Sequence, residues 1–410
     1  MQKLKTIVTV FIVSILVPII YLLFTNLVHY LQELIWFDIA DVNNNKIVVI
    51  PLSIIGGLIL SWAIMVNKNK LGRELSHDIK ELTKDIKISP KLVVSAFLIG
   101  IASLVGGASL GPEAILIPIC YGAGFLVAKN FKIEKPEFIG LIAIISLLAS
   151  FFNGIVAAVL PLAFISYMMS KNKKNTIILL LLGSLAALIS VVFLRLIGVK
   201  DGYVKIPLES ITSINYKMLI VALVVGFIAT YMTGLLYKTS KYFKTFFEML
   251  PKKWITQGFV AGLGVGVAYY LLGPMAFFSG HYGLEELIKQ NSQYTSFQLA
   301  GLAVGKLLVT AWCIATIYRG GLIYPLLLSG MSIALLLTGA YPDNNWLIAL
   351  LVATFVGAFG GNFKSAIVGA AFVLPLFGIG SLSLVMVAMI GSGIALRLGR
   401  EVNNRRLATQ

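Results

Sequence analysis

The chain has 410 residues, 58% of them hydrophobic and only 12% charged, with a formal net charge of +16. A soluble globular chain carries about 25% charged residues, so most of this one must face lipid or a buried protein interior. The positive charge does not call for nucleic acid: the Lys and Arg lie in short segments between apolar runs, where they set orientation and meet anionic lipid.

At the N-terminus, Lys3 and Lys5 precede a long apolar run that lacks a small-residue cleavage site. This predicts a first membrane helix over 6–28 rather than a removed signal peptide. Further spans are predicted over 47–66, 92–106, 112–128, 137–152, 154–170, 176–198, 216–238, 255–273, 297–318, 322–339, 346–360, 363–379 and 381–399. Several fall short of the roughly 20 residues a helix needs to cross a bilayer. Gly106-Gly107 and Gly360-Gly361 interrupt apolar sequence, so helices that stop or re-enter partway are expected. Non-helical backbone survives at that depth only inside protein or against a wet cavity.

Charge orients the spans. Residues 67–91 hold seven basic residues with Glu74, Asp78, Glu81 and Asp85 among them, and Leu71, Leu75, Ile79, Leu82 and Ile86 recur as one face of an amphipathic surface helix. This segment, the Lys171–Lys174 cluster, the lysines from 238 to 253 and the arginines from 397 to 406 read as cytoplasmic, as do both termini. Segments 198–216, 280–290 and 341–345 read as external, with Glu285 and Glu286 solvated there. The protein is expected in the plasma (inner) membrane, as one membrane domain over 1–410 with no soluble domain.

Little else carries chemistry. Cys120 and Cys313 lie in apolar runs and read as reduced core thiols. His29, His77 and His281 are scattered, and none has a second ligand at metal spacing, so no metal site is assigned. Gly262-x-Gly264-x-Gly266 sits in a helix-like run and reads as close packing. No Ser/His/Asp set, Walker loop or dinucleotide fingerprint is present, which predicts no enzyme and no cofactor.

Two stretches stand out. Gly106-Gly107-Ala108-Ser109-Leu110-Gly111-Pro112-Glu113-Ala114 breaks two apolar runs with glycines, a proline and one acid. About 210 residues later, Arg319-Gly320-Gly321-Leu322-Ile323-Tyr324-Pro325 has a similar build. Phe152-Asn153-Gly154 and Phe363-Lys364-Ser365 form a second pair at an offset of 211. A shared offset in a chain about twice that long predicts a duplication, as approximate inverted repeats over 30–198 and 216–400. Transporters built this way place their site where broken helices meet near the midplane.

The chemistry follows from the backbone. A helix that starts inside the membrane has unpaired N–H groups, carries about half a positive charge there and attracts an anion. Glycines ahead of it let backbone approach the ion, and Pro112 suits a first turn because its missing N–H has no intrahelical partner. Glu113 would lie in that turn and compete with a dissolved anion for one site. A lone intramembrane acid is a functional group by default, here a gate or proton carrier.

At these residues the chain resembles the CLC family of chloride channels and chloride/proton antiporters. Its G-[KR]-E-G-P gate element is similar to Gly111-Pro112-Glu113-Ala114, matching in the Gly and Glu, with Pro112 in place of the basic residue. G-x-F-x-P resembles Gly321-Leu322-Ile323-Tyr324-Pro325, with K-x-x-x-T upstream at Lys306 and Thr310. F-N-A-P-L-A-G resembles Phe152-Asn153-Gly154-Ile155-Val156-Ala157-Ala158, and R-A-P-L-T-G resembles Lys364-Ser365-Ala366-Ile367-Val368-Gly369. The ordered set covers about residues 47–400. Three elements depart. No G-S-G-I-P lies near 71–78, where Ser76 is the one loose candidate; no internal acid lies near Phe164-Ile165; and no tyrosine lies in 390–400.

The resemblance implies an all-α polytopic CLC-like inverted-repeat bundle with broken and re-entrant helices, a homodimer with one pore per subunit, and no CBS domains. It implies transport of chloride or a related small anion, with backbone of Gly111, Glu113, Ala114, Gly321, Leu322, Ile323 and Tyr324 around the ion and Glu113 as gate. The missing acid near 164–165 implies weakened or absent proton coupling. Arg319, Lys306 and Lys364 are candidates for an electrostatic role, against interfacial placement or pairing with a carbonyl. A proton-coupled antiporter, an unrelated inverted-repeat carrier of organic anions and an integral membrane lipid enzyme are the alternatives.

Overall fold

The computed structural model describes residues 2–67, 88–156, 159, 173–199, 211–290, 293–339 and 343–408. The amphipathic face in 67–91, Ser76, Phe164-Ile165, His77 and most of the 154–170 and 198–216 segments lie outside them. The described residues form 14 α-helices and no strand. In chain order these are α1 (Gln2–Gln32), α2 (Val49–Asn67), α3 (Pro90–Val105), α4 (Glu113–Asn130), α5 (Pro136–Phe152), α6 (Lys173–Leu196) and α7 (Tyr216–Glu248). Then come α8 (Trp254–Leu272), α9 (His281–Lys289), α10 (Ser296–Ala315), α11 (Ile323–Thr338), α12 (Asn344–Asn362), α13 (Ala366–Phe377) and α14 (Leu382–Ala408). Eight are long and apolar enough to cross a membrane; α3, α5, α11 and α13 are apolar but shorter.

Local sequence sets where these helices begin. Ser89 caps α3 by accepting from the Leu92 N–H, with Pro90 as the first helical residue. Thr295 and Gln298 form a reciprocal capping box at α10. Asp343 caps α12 through the Trp346 N–H. α12 is the centre of the bundle: every residue from Leu347 to Gly361 is buried. It packs on α7, α11, α13 and α14. The glycines of α8 do pack closely, as the sequence suggested. A Cβ at Gly258 would strike backbone of Gly57 and Leu58, and one at Gly262 backbone of Ser53, so α2 and α8 touch main chain to main chain.

Three expectations are corrected. Gly360-Gly361 is no break: α12 runs through to Asn362, and the glycines make room for Ser392 and Thr233 of neighbouring helices. Segment 280–290 is largely a helix, because Leu284, Leu287 and Ile288 form a buried face, and Glu285 is bridged to Lys289 at 3.4 Å rather than freely solvated. Lys364 is not inside a span: it sits exposed at the turn between α12 and α13 with φ 54°.

Gly106-Gly107, by contrast, is a true break. α3 stops at Val105 inside the protein, so its last carbonyls need partners. α1 and the π-helical turn after it supply them: Gln32 Nε2 donates to Leu104 O at 2.9 Å, and Trp36 Nε1 donates to Val105 O at 2.8 Å. Gly107 then turns with φ 97° directly beneath the Trp36 ring, a conformation that glycine adopts without strain.

Candidate functional site

Two loops, 106–112 and 316–322, run from α3 into α4 and from α10 into α11. They meet at one antiparallel bridge: Gly111 N–H donates to Gly321 O at 2.8 Å, and Gly321 N–H donates to Gly111 O at 2.6 Å. Each loop is also tied to the helix preceding the other. The Ser109 and Thr310 hydroxyls lie 3.1 Å apart, and Ser109 N–H donates to Cys313 Sγ at 3.3 Å. In the other loop, Arg319 N–H donates to Ser103 Oγ at 2.7 Å, and that hydroxyl donates to Arg319 O at 2.8 Å. Backbone that would be costly in an apolar interior is thereby paired.

The bridge brings the starts of α4 and α11 together. Glu113, the first residue of α4, reaches across it, and Oε1 accepts the N–H of Ile323, the first residue of α11, at 2.9 Å. That amide is one of the orphan donors of a helix start, so the carboxylate pairs it at the α11 N-terminus, an end that favours negative charge. Glu113 is 9% exposed, and Oε2 is buried without a hydrogen-bond partner. The two bridging glycines make room for it. A Cβ on Gly111 would land on the carboxylate oxygens, and one on Gly321 on the carboxyl carbon. Here glycine is required for space, since the acid lies across the bridge itself.

Leu322 is the residue just before α11, and Ala114 is the second residue of α4. Tyr324 is buried with its ring 4.9 Å from that of His281. Lys306 is fully buried on α10, and its ammonium donates to the carbonyls of Ala276 and Phe278. Its neighbour in the K-x-x-x-T pattern, Thr310, donates back to Lys306 O at 2.7 Å. Arg319 is half-buried, and its guanidinium donates to Tyr318 O at 2.9 Å. Of the three basic candidates, only Arg319 belongs to the bridged loops; Lys364 instead offers its carbonyl to Arg400 at 3.4 Å, on an exposed turn.

An α-helical bundle whose two broken helices meet over a glutamate invites comparison with known proteins. The family described as voltage gated chloride channel matches residues 56–400. The chain belongs to this CLC family. It is therefore a multi-pass membrane protein of a family that moves anions across membranes. Solved CLC structures share its fold across nearly the whole chain. A slow cyanobacterial chloride/proton antiporter matches with TM-score 0.77 at 18% identity over 99% of both chains. A CLC-type fluoride/proton antiporter matches with TM-score 0.73 at 17% identity over 96% of both. A eukaryotic CLC transporter matches with TM-score 0.68 at 13% identity over 97% of this chain and 72% of its own. No curated protein matches it by sequence.

The sequence alone missed several residues that shape this CLC site. Ser103, Gln32 and Trp36 hold the loops, and nothing in their local pattern marks them. The histidines are not all scattered: the His29 and His281 rings lie 6.3 Å apart, and His281 lies against Tyr324. Residues so distant in sequence carry no spacing signal, and only the packing of α9 against α11 brings His281 to the site.

Proposed function

We propose that this protein moves chloride or a related small inorganic anion along a backbone-lined path closed by the Glu113 carboxylate. The observation that carries this reading is the bond from Ile323 N–H to Glu113 Oε1 at 2.9 Å, across the Gly111–Gly321 bridge. An anion arriving at the α11 N-terminus takes the place the carboxylate now fills. Backbone amides suit this work, because they bind a weakly hydrated anion without a fixed charge that would trap it. Transport is proposed to be uncoupled, since no acid stands at Phe164-Ile165.

Coupled exchange is favoured by one observation: Glu113 Oε2 is buried and unpartnered, an atom free to take a proton. Flux in liposomes separates the two. Chloride efflux from wild type, altered in Glu113→Gln, supports the gate; a chloride gradient that drives stoichiometric, Glu113-dependent proton movement replaces the uncoupled reading. Absence of flux for chloride, fluoride and other small anions removes the proposal.

The same reading takes the chain as a homodimer in the plasma membrane with both termini cytoplasmic, on the strength of its basic segments. It also takes the two halves as inverted repeats. Support comes from matching turns: Asn153 after α5 and Lys364 after α12 both have left-handed backbone, φ 46° and 54°. Each is followed by an N–H that reaches five residues back, Gly154 to Ala149 O and Ser365 to Gly360 O.

A further inference from the structure

We propose that His29 and His281 form a proton-loading site on the outer face, which delivers protons to Glu113. This rests on the function proposed above. His29 lies near the far end of α1, about 40 Å along the helix from its start at 1.5 Å per residue, so it stands on the face opposite the N-terminus. His281 opens α9, in the segment whose charge reads as external.

The pair lies in an acidic setting. His281 Nε2 is 3.6 Å from Glu285 Oε1, and Glu285 also meets Lys289 at 3.4 Å. Tyr282 packs 6.0 Å from the His29 ring and 5.7 Å from His281. Burial first, then the carboxylates of Glu33 and Glu285, push its phenol above the ordinary value. Below it, α11 presents Tyr324, α10 presents the buried Lys306 ammonium under Phe278, and α4 presents Glu113. Carboxylates concentrate protons at the mouth, while the buried cation disfavours their resting deeper.

A path leads inward. A crevice of about 10 Å³, roughly one water, is lined by His29, Gln32, Ser279, Leu104, Leu110 and Pro112. Leu110 and Pro112 flank Gly111, and Gly111 is the residue against which Glu113 Oε2 lies. The crevice therefore runs from the His29 imidazole to the loop residues on either side of Gly111, with Glu113 itself buried behind them.

The step is a proton transfer. An external hydronium gives its proton to an imidazole of the pair. The imidazolium passes it along the crevice to the loop around Gly111, where Glu113 Oε2 takes it once the side chain shifts to meet it, and the ring returns to neutral. Glu113 becomes a neutral acid, its bond from Ile323 N–H weakens, and an anion can take that amide. One proton moves inward and no bond other than O–H and N–H changes.

The test is chloride efflux from liposomes of the full chain while the pH of each side is stepped between about 5 and 8, a range centred on the ordinary imidazole value. With His29→Gln or His281→Gln, flux at the alkaline end falls about tenfold, the scale of a lost proton-transfer group. At the acid end it returns to within about twofold of wild type, because hydronium then reaches Glu113 without the relay. The pair acts in series, so the double variant is no worse than either single one. The dependence is on one side only, opposite the N-terminus. Profiles that superpose on wild type, or flux lowered equally at every pH, overturn the relay. Should a variant fail to insert, diethyl pyrocarbonate added outside to folded His77→Gln protein replaces it: alkaline flux falls and hydroxylamine restores it, whereas an unchanged flux overturns the relay. Wild type that moves no anion sinks the function proposed above; Glu113-dependent flux with unaltered histidine variants sinks this inference alone.

Discussion

The two loops that meet at the Gly111–Gly321 bridge share a plan and differ in the residue that opens the helix each leads into. Each enters a helix start, each is tied to the helix before the other, and each contributes one glycine to the bridge. At the first helical residue one carries a carboxylate, Glu113, and the other carries Ile323 and offers only its N–H. One arm is a donor and the other holds a charged group. On the function proposed above, two like helix ends make one anion site with its own occupant attached.

The sharpest way to test that division is to remove the occupant. A hydrogen bond to a charged group contributes about 1.5–3 kcal/mol, so freeing the Ile323 amide in Glu113→Ala should tighten halide binding by about 10–100-fold. Isothermal titration calorimetry in detergent reads this directly; equal affinity in wild type and variant would mean that the carboxylate and the anion do not share a site. Gly321→Ala reaches the same end from the other arm. Its Cβ falls on the Glu113 carboxyl carbon, so the acid must leave the bridge while still present in the chain. Halide affinity should rise toward that of Glu113→Ala, with a stability loss of about 1–3 kcal/mol from overpacking, seen as a lower Tm.

The glycine breaks show how far sequence could carry this. Gly106-Gly107 and Gly360-Gly361 look alike in the chain, yet one ends a helix and the other lies within one. The difference is set by neighbours: Gln32 and Trp36 take up the carbonyls that α3 exposes by stopping, while Thr233 and Ser392 merely press on α12. No window of local sequence contains those partners. Glu113 was legible as a lone acid at a helix start, because such a residue is costly anywhere else. Its partner amide was legible only through the motif order, since Ile323 contributes backbone. The apolar face of α9 was there to be read in Leu284, Leu287 and Ile288, but the adjacent Glu285 and Glu286 masked it as a loop.

The ties on the two arms separate further. Ser103→Ala removes both bonds to Arg319 and takes this hydroxyl from a half-buried N–H and carbonyl on the donor arm. Ser109→Ala leaves the bond from its own N–H to Cys313 in place and costs only a hydroxyl pair on the gate arm. Ser103→Ala should lower stability by about 1–3 kcal/mol and weaken halide binding, whereas Ser109→Ala should cost about 1 kcal/mol and leave binding within about twofold. Thermal unfolding beside calorimetry reads both; equal effects would mean that the arms are mechanically equivalent and that only the Glu113 charge distinguishes them.

The smallest effect is expected where the two halves match best outside the site. Lys364 and Asn153 hold the same left-handed turn, and asparagine tolerates that conformation better than lysine does. Lys364→Asn copies the first half's residue into the second. It removes a charge that is exposed, on a turn whose carbonyl meets Arg400. Stability should therefore stay within about 0.5 kcal/mol, and chloride flux should not change. If flux falls severalfold with the Tm intact, the charge of Lys364 does steer anions from a distance, and the electrostatic role suggested by its place in the motif order must be restored. An unchanged flux would leave the bridge, with its one acid and the amide that acid holds, as the part of the molecule where the two halves differ in function.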